Sequence, residues 1–153
     1  MTNDSPMNNF CTVNPLSFGR HGNTTALWGK AKEGNLRWTS VGGQWGGHTY
    51  YSSTMAIEPN TGKWYWEWLA IANSLTTRWY APGVATAVTS ATTDYPGFTA
   101  TSWGYYGGDG KVYNSNVGAT YGDTFGNGDI VGIAVDLDND KLYFSLNGVW
   151  QNS

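Results

Sequence analysis

From Val131 the chain alternates. Val131, Ile133, Val135 and Leu137 point one way, and Gly132, Ala134 and Asp136 point the other. After Asp138-Asn139-Asp140 the pattern resumes, with Leu142, Phe144 and Leu146 set against Tyr143, Ser145 and Asn147. A period of two is the signature of a strand with one greasy face. The intervening Asp and Asn residues tolerate left-handed backbone and predict a hairpin turn. Lys63–Ala70 repeats the pattern more heavily: Trp64, Trp66 and Trp68 share a face, with Lys63, Tyr65 and Glu67 behind it. Ser102–Tyr106 and Lys111–Tyr113 form a further expected hairpin around Gly107-Gly108-Asp109-Gly110.

Weaker strand signals lie at Ala26–Trp28, Asn35–Thr39, Tyr50–Glu58 and Val84–Thr89. Glycine-rich, Pro-Asn-Thr-Gly and Asp-Tyr-Pro-Gly segments separate them as turns or loops. Residues 1–25 contain Ser5-Pro6, Asn8-Asn9, Asn14-Pro15 and Gly22-Asn23, which predict an irregular lead before a single domain at 26–153. No segment has a helical period and no fixed repeat is visible. The expectation is an all-β, two-sheet antiparallel sandwich.

Composition agrees and narrows the function. The chain has 153 residues, 21 of them glycine, and only 12% are charged, against about 25% in a typical soluble domain. Net charge is −3, with eight Lys and Arg residues scattered singly, so no basic footprint for nucleic acid exists. Apolar runs are too short for a spanning helix, and no membrane insertion is expected. Cys11 is the only cysteine, so no intrachain disulfide forms and packing must supply the stability.

Four strings then stand out in order: Gly62-Lys63-Trp64-Tyr65-Trp66-Glu67-Trp68, Ser102-Trp103-Gly104-Tyr105, Tyr121-Gly122 through Gly128-Asp129, and Phe144-Ser145-Leu146-Asn147-Gly148-Val149-Trp150-Gln151. Together they resemble the SPRY domain, from about residue 35 onward. The resemblance implies a bent sandwich with jelly-roll-like topology and a non-enzymatic binding role, in which loops at one end of the sandwich contact partners. SPRY domains continue some tens of residues past the segment that ends here at Gln151. The resemblance therefore implies final strands that lie beyond Ser153 or come from another chain. Residues 3–16 are similar to leads that precede SPRY modules in bacteriophage tail and fibre proteins.

The reactive motifs are few. Asp136-x-Asp138-x-Asp140 spaces carboxylates like a calcium loop, but Lys141 and Asn147 occupy the positions where such a loop needs glycine and a bidentate acid. His21 and His48 are too few for a multi-histidine zinc site. Glycoside hydrolysis needs two carboxylates facing one cleft, and Leu69 stands two residues after Glu67 where a second acid would be. No catalytic residue, metal site or cofactor is expected.

The aromatics divide. Trp64, Trp66, Trp68, Trp103 and Phe144 have the spacing of a buried face and are expected in the core. Trp79, Tyr80, Tyr95, Phe98, Tyr105 and Tyr106 lie in or beside expected loops and are the candidate binding residues. There a flat apolar face and a hydroxyl or indole donor suit peptide or sugar recognition. The main expectation is a virion protein of a phage tail or fibre. It would hold loops 73–82, 91–101 and 105–110 toward a host-surface protein, a glycan or neighbouring subunits, in multiple copies as a homo-oligomer. The alternative is a cytoplasmic SPRY adaptor that grips a short peptide of a partner protein.

Overall fold

The computed structural model describes residues 11–21, 28–41, 48–71, 80–86 and 95–152; within its strands, the side chains of residues 17–21, 28–30, 40–41 and 48–50 are left aside. Among the described residues every regular element is a strand, and every pairing is antiparallel. The chain is all-β, as its alternation predicts. It divides into two compact units, residues 1–57 with 88–94 and residues 58–87 with 95–153.

The first unit holds β1 (Val13–His21), β2 (Trp28–Lys32), β3 (Arg37–Val41) and β4 (His48–Ser53). β1 pairs with β4, and β2 with β3. β1 runs through the stretch expected to be irregular. Its breakers are accommodated by a bulge: the register slips between the Val13–Ser53 and Phe18–Tyr51 pairs. Pro15 lies in that slip, where its missing N–H costs the ladder nothing. The Leu16 amide donates to Asn14 Oδ1 at 3.0 Å, satisfying itself locally.

The second unit contains β5 (Lys63–Leu69), β6 (Gly83–Ala85), β7 (Ser102–Tyr106), β8 (Lys111–Asn114), β9 (Val117–Thr120), β10 (Ile130–Asp136), β11 (Lys141–Leu146) and β12 (Val149–Trp150). Two four-stranded sheets result, ordered β12-β11-β10-β5 and β6-β7-β8-β9. Register aligns the expected greasy faces: Ile133 sits between Trp66 and Phe144, and Val131 between Trp68 and Leu146. The second sheet delivers Tyr105 into the same core, 5.4 Å from Phe144 and 5.0 Å from Phe125 between ring centroids. This is a two-sheet sandwich.

Two hairpins missing from the expected strand list rest on left-handed residues. Ser115-Asn116 (φ 52° and 59°) joins β8 to β9, and Asn147-Gly148 (φ 49° and 83°) joins β11 to β12. Asn in that conformation carries little penalty, and the two-residue turn matches strand twist. Leu137–Asp140 turns between β10 and β11 around Asp136. Its carboxylate accepts from the amides of Asp138 and Asn139 and from Asn139 Nδ2, and pairs with Lys63 at 3.1 Å.

The tryptophan expectation needs correction at two positions. Trp66 and Trp68 pack against the core and Phe144 is buried. Trp64 and Trp103 are 40% and 36% exposed. Both share the parity of the core face, but Trp64 is the second residue of β5, beside a turn, where its indole N–H donates to the Thr61 carbonyl at 3.2 Å. Alternation fixes the face but not how much of it is covered.

Candidate binding surface

The outward face of the β6-β7-β8-β9 sheet is paved with small residues. Cross-strand pairing sets Gly83 beside Gly104, Gly104 beside Tyr113, and Tyr113 beside Gly118. Residues 95–101 lie down on this strip. A Cβ on Gly104 would stand 2.2 Å from the Pro96 carbonyl oxygen, and one on Gly97 would stand 2.6 Å from that of Tyr113. Only glycine allows a backbone so close.

Side chains then fasten the segment. Buried Ser102 accepts the Gly97 amide on its Oγ at 3.0 Å. Asn114 Nδ2 donates to the carbonyls of Ser102 at 2.9 Å and Ala100 at 3.0 Å. The Asn116 amide donates to the Gly97 carbonyl at 2.9 Å. A surface segment held at so many points pays little ordering entropy when it meets a partner.

The fastened segment carries Tyr95 and Phe98, whose rings meet edge to face at 5.4 Å. The Tyr95 hydroxyl donates to Asn116 Oδ1. Beside it, Tyr106 crosses Tyr113 at 5.9 Å and 90°, lying over Gly108, where a Cβ would meet its ring at 2.7 Å. Asp109, in the β7–β8 turn, accepts the Tyr113 hydroxyl at 2.7 Å and the Lys111 amide at 3.1 Å, with the Lys111 ammonium at 3.7 Å. Tyr95, Tyr106 and Tyr113 are close enough to feel one another electrostatically.

That environment keeps the phenols neutral. The hydrogen bond to Asp109, then loss of solvent, pushes Tyr113 up to about 12. Burial raises Tyr95, and burial followed by the Asp109 charge raises Tyr106. At physiological pH the cluster offers hydroxyl donors and acceptors, a carboxylate, an amide and half-covered ring faces. This mixture suits peptide recognition better than bond-making.

The six candidate residues therefore part company. Tyr95, Phe98 and Tyr106 come together. Trp79 lies outside the described residues. Tyr80 turns inward, its ring 5.2 Å from Trp68, and packs on the core. Tyr105 is 0% exposed and presents nothing to a partner. The correction follows from parity: in β7 Tyr105 takes the face opposite Gly104 and Tyr106, toward Phe125 and Phe144. Sequence reasoning missed Tyr113, Asp109 and Asn116. The Gly107–Gly110 turn held the signal, because closing it pairs Tyr106 with Lys111 and places Tyr113 two positions along the same face.

Residues 63–152, more than half of the chain, match the family model of the SPRY domain. The chain belongs to the SPRY domain family. The match begins later than the residue-35 start implied by the motifs. Within it fall β5 to β12, both sheets of the sandwich and the tyrosine cluster.

The chain is 47% identical over 57 residues to the dual specificity protein kinase splA of Dictyostelium discoideum, covering 37% of this chain and 2% of that protein. It is 42% identical over 55 residues to the Ran-binding proteins 9/10 homolog of Drosophila melanogaster, covering 35% and 6%. It is 41% identical over 54 residues to human Ran-binding protein 9, covering 35% and 7%. The chain thus spans less than a tenth of the length of these relatives. A crystal structure of a human SPRY domain is similar at 25% identity and a TM-score of 0.49, over 62% of each chain.

Proposed function

We propose that this SPRY chain is a non-enzymatic protein-binding module that holds a short peptide of a partner against the Tyr95, Phe98, Tyr106 and Tyr113 cluster. The observation that carries the proposal is a rigidly fastened aromatic segment beside Asp109 and Asn116, on the scaffold of a family associated with protein interaction. Peptide backbone amides would meet Asp109 and Asn116, and one or two apolar side chains would rest on the tyrosine rings.

The relatives move the reading from a phage tail or fibre component to the adaptor. Those described are eukaryotic proteins named for Ran binding or kinase activity, and the matched stretch is a small part of each. Such a module supplies docking while the rest of a larger protein supplies any activity, and a cytoplasmic setting suits that role. The similarity of residues 3–16 to virion leads lies outside the matched family range.

The test is selection of peptides from a display library on the immobilised 153-residue chain. Selected peptides are expected to bind the wild type and to lose about tenfold or more with Tyr106→Ala or Asp109→Lys. Peptides that bind these variants as tightly as the wild type would refute the placement of the site.

A further inference from the structure

The other sheet bears a second aromatic group on its outward face, opposite the core. Register puts Tyr65, Ala134 and Tyr143 in one cross-strand row, and Glu67, Gly132, Ser145 and Trp150 in the next. The central positions are small, so the Tyr65 ring lies down across the sheet. A Cβ on Gly132 would stand 2.6 Å from the Tyr65 hydroxyl and 2.3 Å from Ser145 Oγ. Trp150 stands against Tyr65 at 6.3 Å and 68°, and Tyr143 meets Trp150 at 6.5 Å and 75°. The three rings remain 54%, 48% and 48% exposed for Tyr65, Tyr143 and Trp150.

One carboxylate edges this corner. Glu67 Oε1 accepts the Tyr65 hydroxyl at 2.9 Å, and among the described residues no cation pairs with Glu67. Lys63 and Lys141 occupy the next row beyond Tyr65 and Tyr143, where Lys63 is held by Asp136 at 3.1 Å. A phenol that donates to a carboxylate has a more electron-rich ring, and electron-rich ring faces attract cations within about 6 Å. The chain's net charge of −3 works in the same direction.

We propose that this corner receives the alkylammonium end of a lysine side chain on a protein partner, with Tyr65 as floor, Trp150 as wall and Glu67 as counter-charge. The site lies on the sheet opposite the tyrosine cluster, so either can fail without the other.

The test is a titration of the 15N-labelled 153-residue chain, followed at the Trp150 indole N–H and, in every variant including Trp150→Ala, at the backbone amides of Tyr65 and Glu67. The probe is the capped tripeptide Ala-Lys-Ala in unmodified, Nε-trimethylated and Nε-acetylated forms. Both charged forms are expected to shift the resonance saturably, and the neutral acetylated form to bind about tenfold more weakly. Trp150→Ala and Glu67→Gln are each expected to weaken the charged forms about fivefold, while Tyr106→Ala leaves them unchanged. Glu67 is on the surface, so its amide variant keeps the fold even if Trp150→Ala frays β12. Equal binding of charged and acetylated forms, no saturable shift, or undiminished binding by Glu67→Gln would overturn the proposal.

Discussion

Replacing Tyr105 separates a core role from a binding role more sharply than any other change in this chain. Its ring is fully buried, 5.0 Å from Phe125, 5.4 Å from Phe144 and 5.5 Å from Tyr121. Its hydroxyl donates to the Asp123 carbonyl. Truncating a buried aromatic to alanine costs about 3–5 kcal/mol through lost transfer energy and the cavity left behind. The lost hydrogen bond adds about 1 kcal/mol. Tyr105→Ala should therefore cost about 4–6 kcal/mol, a large share of the roughly 5–15 kcal/mol that a domain has in total. Tyr105→Phe keeps the ring and should cost only about 1 kcal/mol. Amide hydrogen exchange at Val131, Ile133 and Phe144 reports this unit alone, since their amides open only with its core. A 4 kcal/mol loss accelerates that exchange by about a thousandfold, and 1 kcal/mol by about fivefold. If Tyr105→Ala exchanged no faster than Tyr105→Phe, the ring would not be holding the two sheets together, and the core assignment would fail.

Three further outcomes are expected. Tyr105, through burial, and Tyr113, through Asp109, are both pushed up to about 12. Folding thus favours the neutral phenols: their contribution is whole below about pH 10, where unfolded tyrosine begins to titrate, and drains away as pH rises toward 12. Carbon NMR of the phenol carbons should show Tyr113 falling back toward 10 in Asp109→Asn, and an unmoved Tyr113 would refute the stated cause. Gly104→Ala sets a Cβ 2.2 Å from the Pro96 carbonyl oxygen, so it should cost about 1–3 kcal/mol and remove the exchange protection of the Gly97 amide; unchanged protection would show that the segment does not rest on this strip. Asn147→Gly keeps the left-handed turn but loses two 2.9 Å hydrogen bonds, from the Ile130 amide and to Asp129. A shift in urea midpoint worth about 1–2 kcal/mol is expected, and no shift would mean that the backbone conformation alone carries the turn.

How far the fold was legible depended on how local its determinants are. The alternation in 63–69, 102–106, 130–136 and 141–146 is complete within each segment, and the structure places strands there within a residue of the expectation. β9 and β12 carry only four and two residues, too few for a period to show. Their existence rests on Ser115-Asn116 and Asn147-Gly148 turning at positive φ. β1 was hidden for the opposite reason: Pro15 argues against a strand locally, and only the bulge against β4 accommodates it.

Which of the candidate aromatic residues face outward was not legible one by one, and a single parity explains the difference. Adjacent residues of a strand face opposite ways, so Tyr105 and Tyr106 cannot share a role once 102–106 is a strand. One became the centre of the core, and the other became part of the surface. The same rule, carried across the β7–β8 turn, assigns Tyr113 to the surface and Val112 to the core side, as their pairing with Gly104 and Tyr105 requires. What no local pattern supplies is the approach of residues 95–101. That depends on Gly104 being bare beneath Pro96 and on Ser102 and Asn114 meeting carbonyls and amides twelve or more residues apart in some cases. The proposed recognition chemistry therefore rests on the tyrosines, and their placement rests on the glycines that let one backbone lie on another.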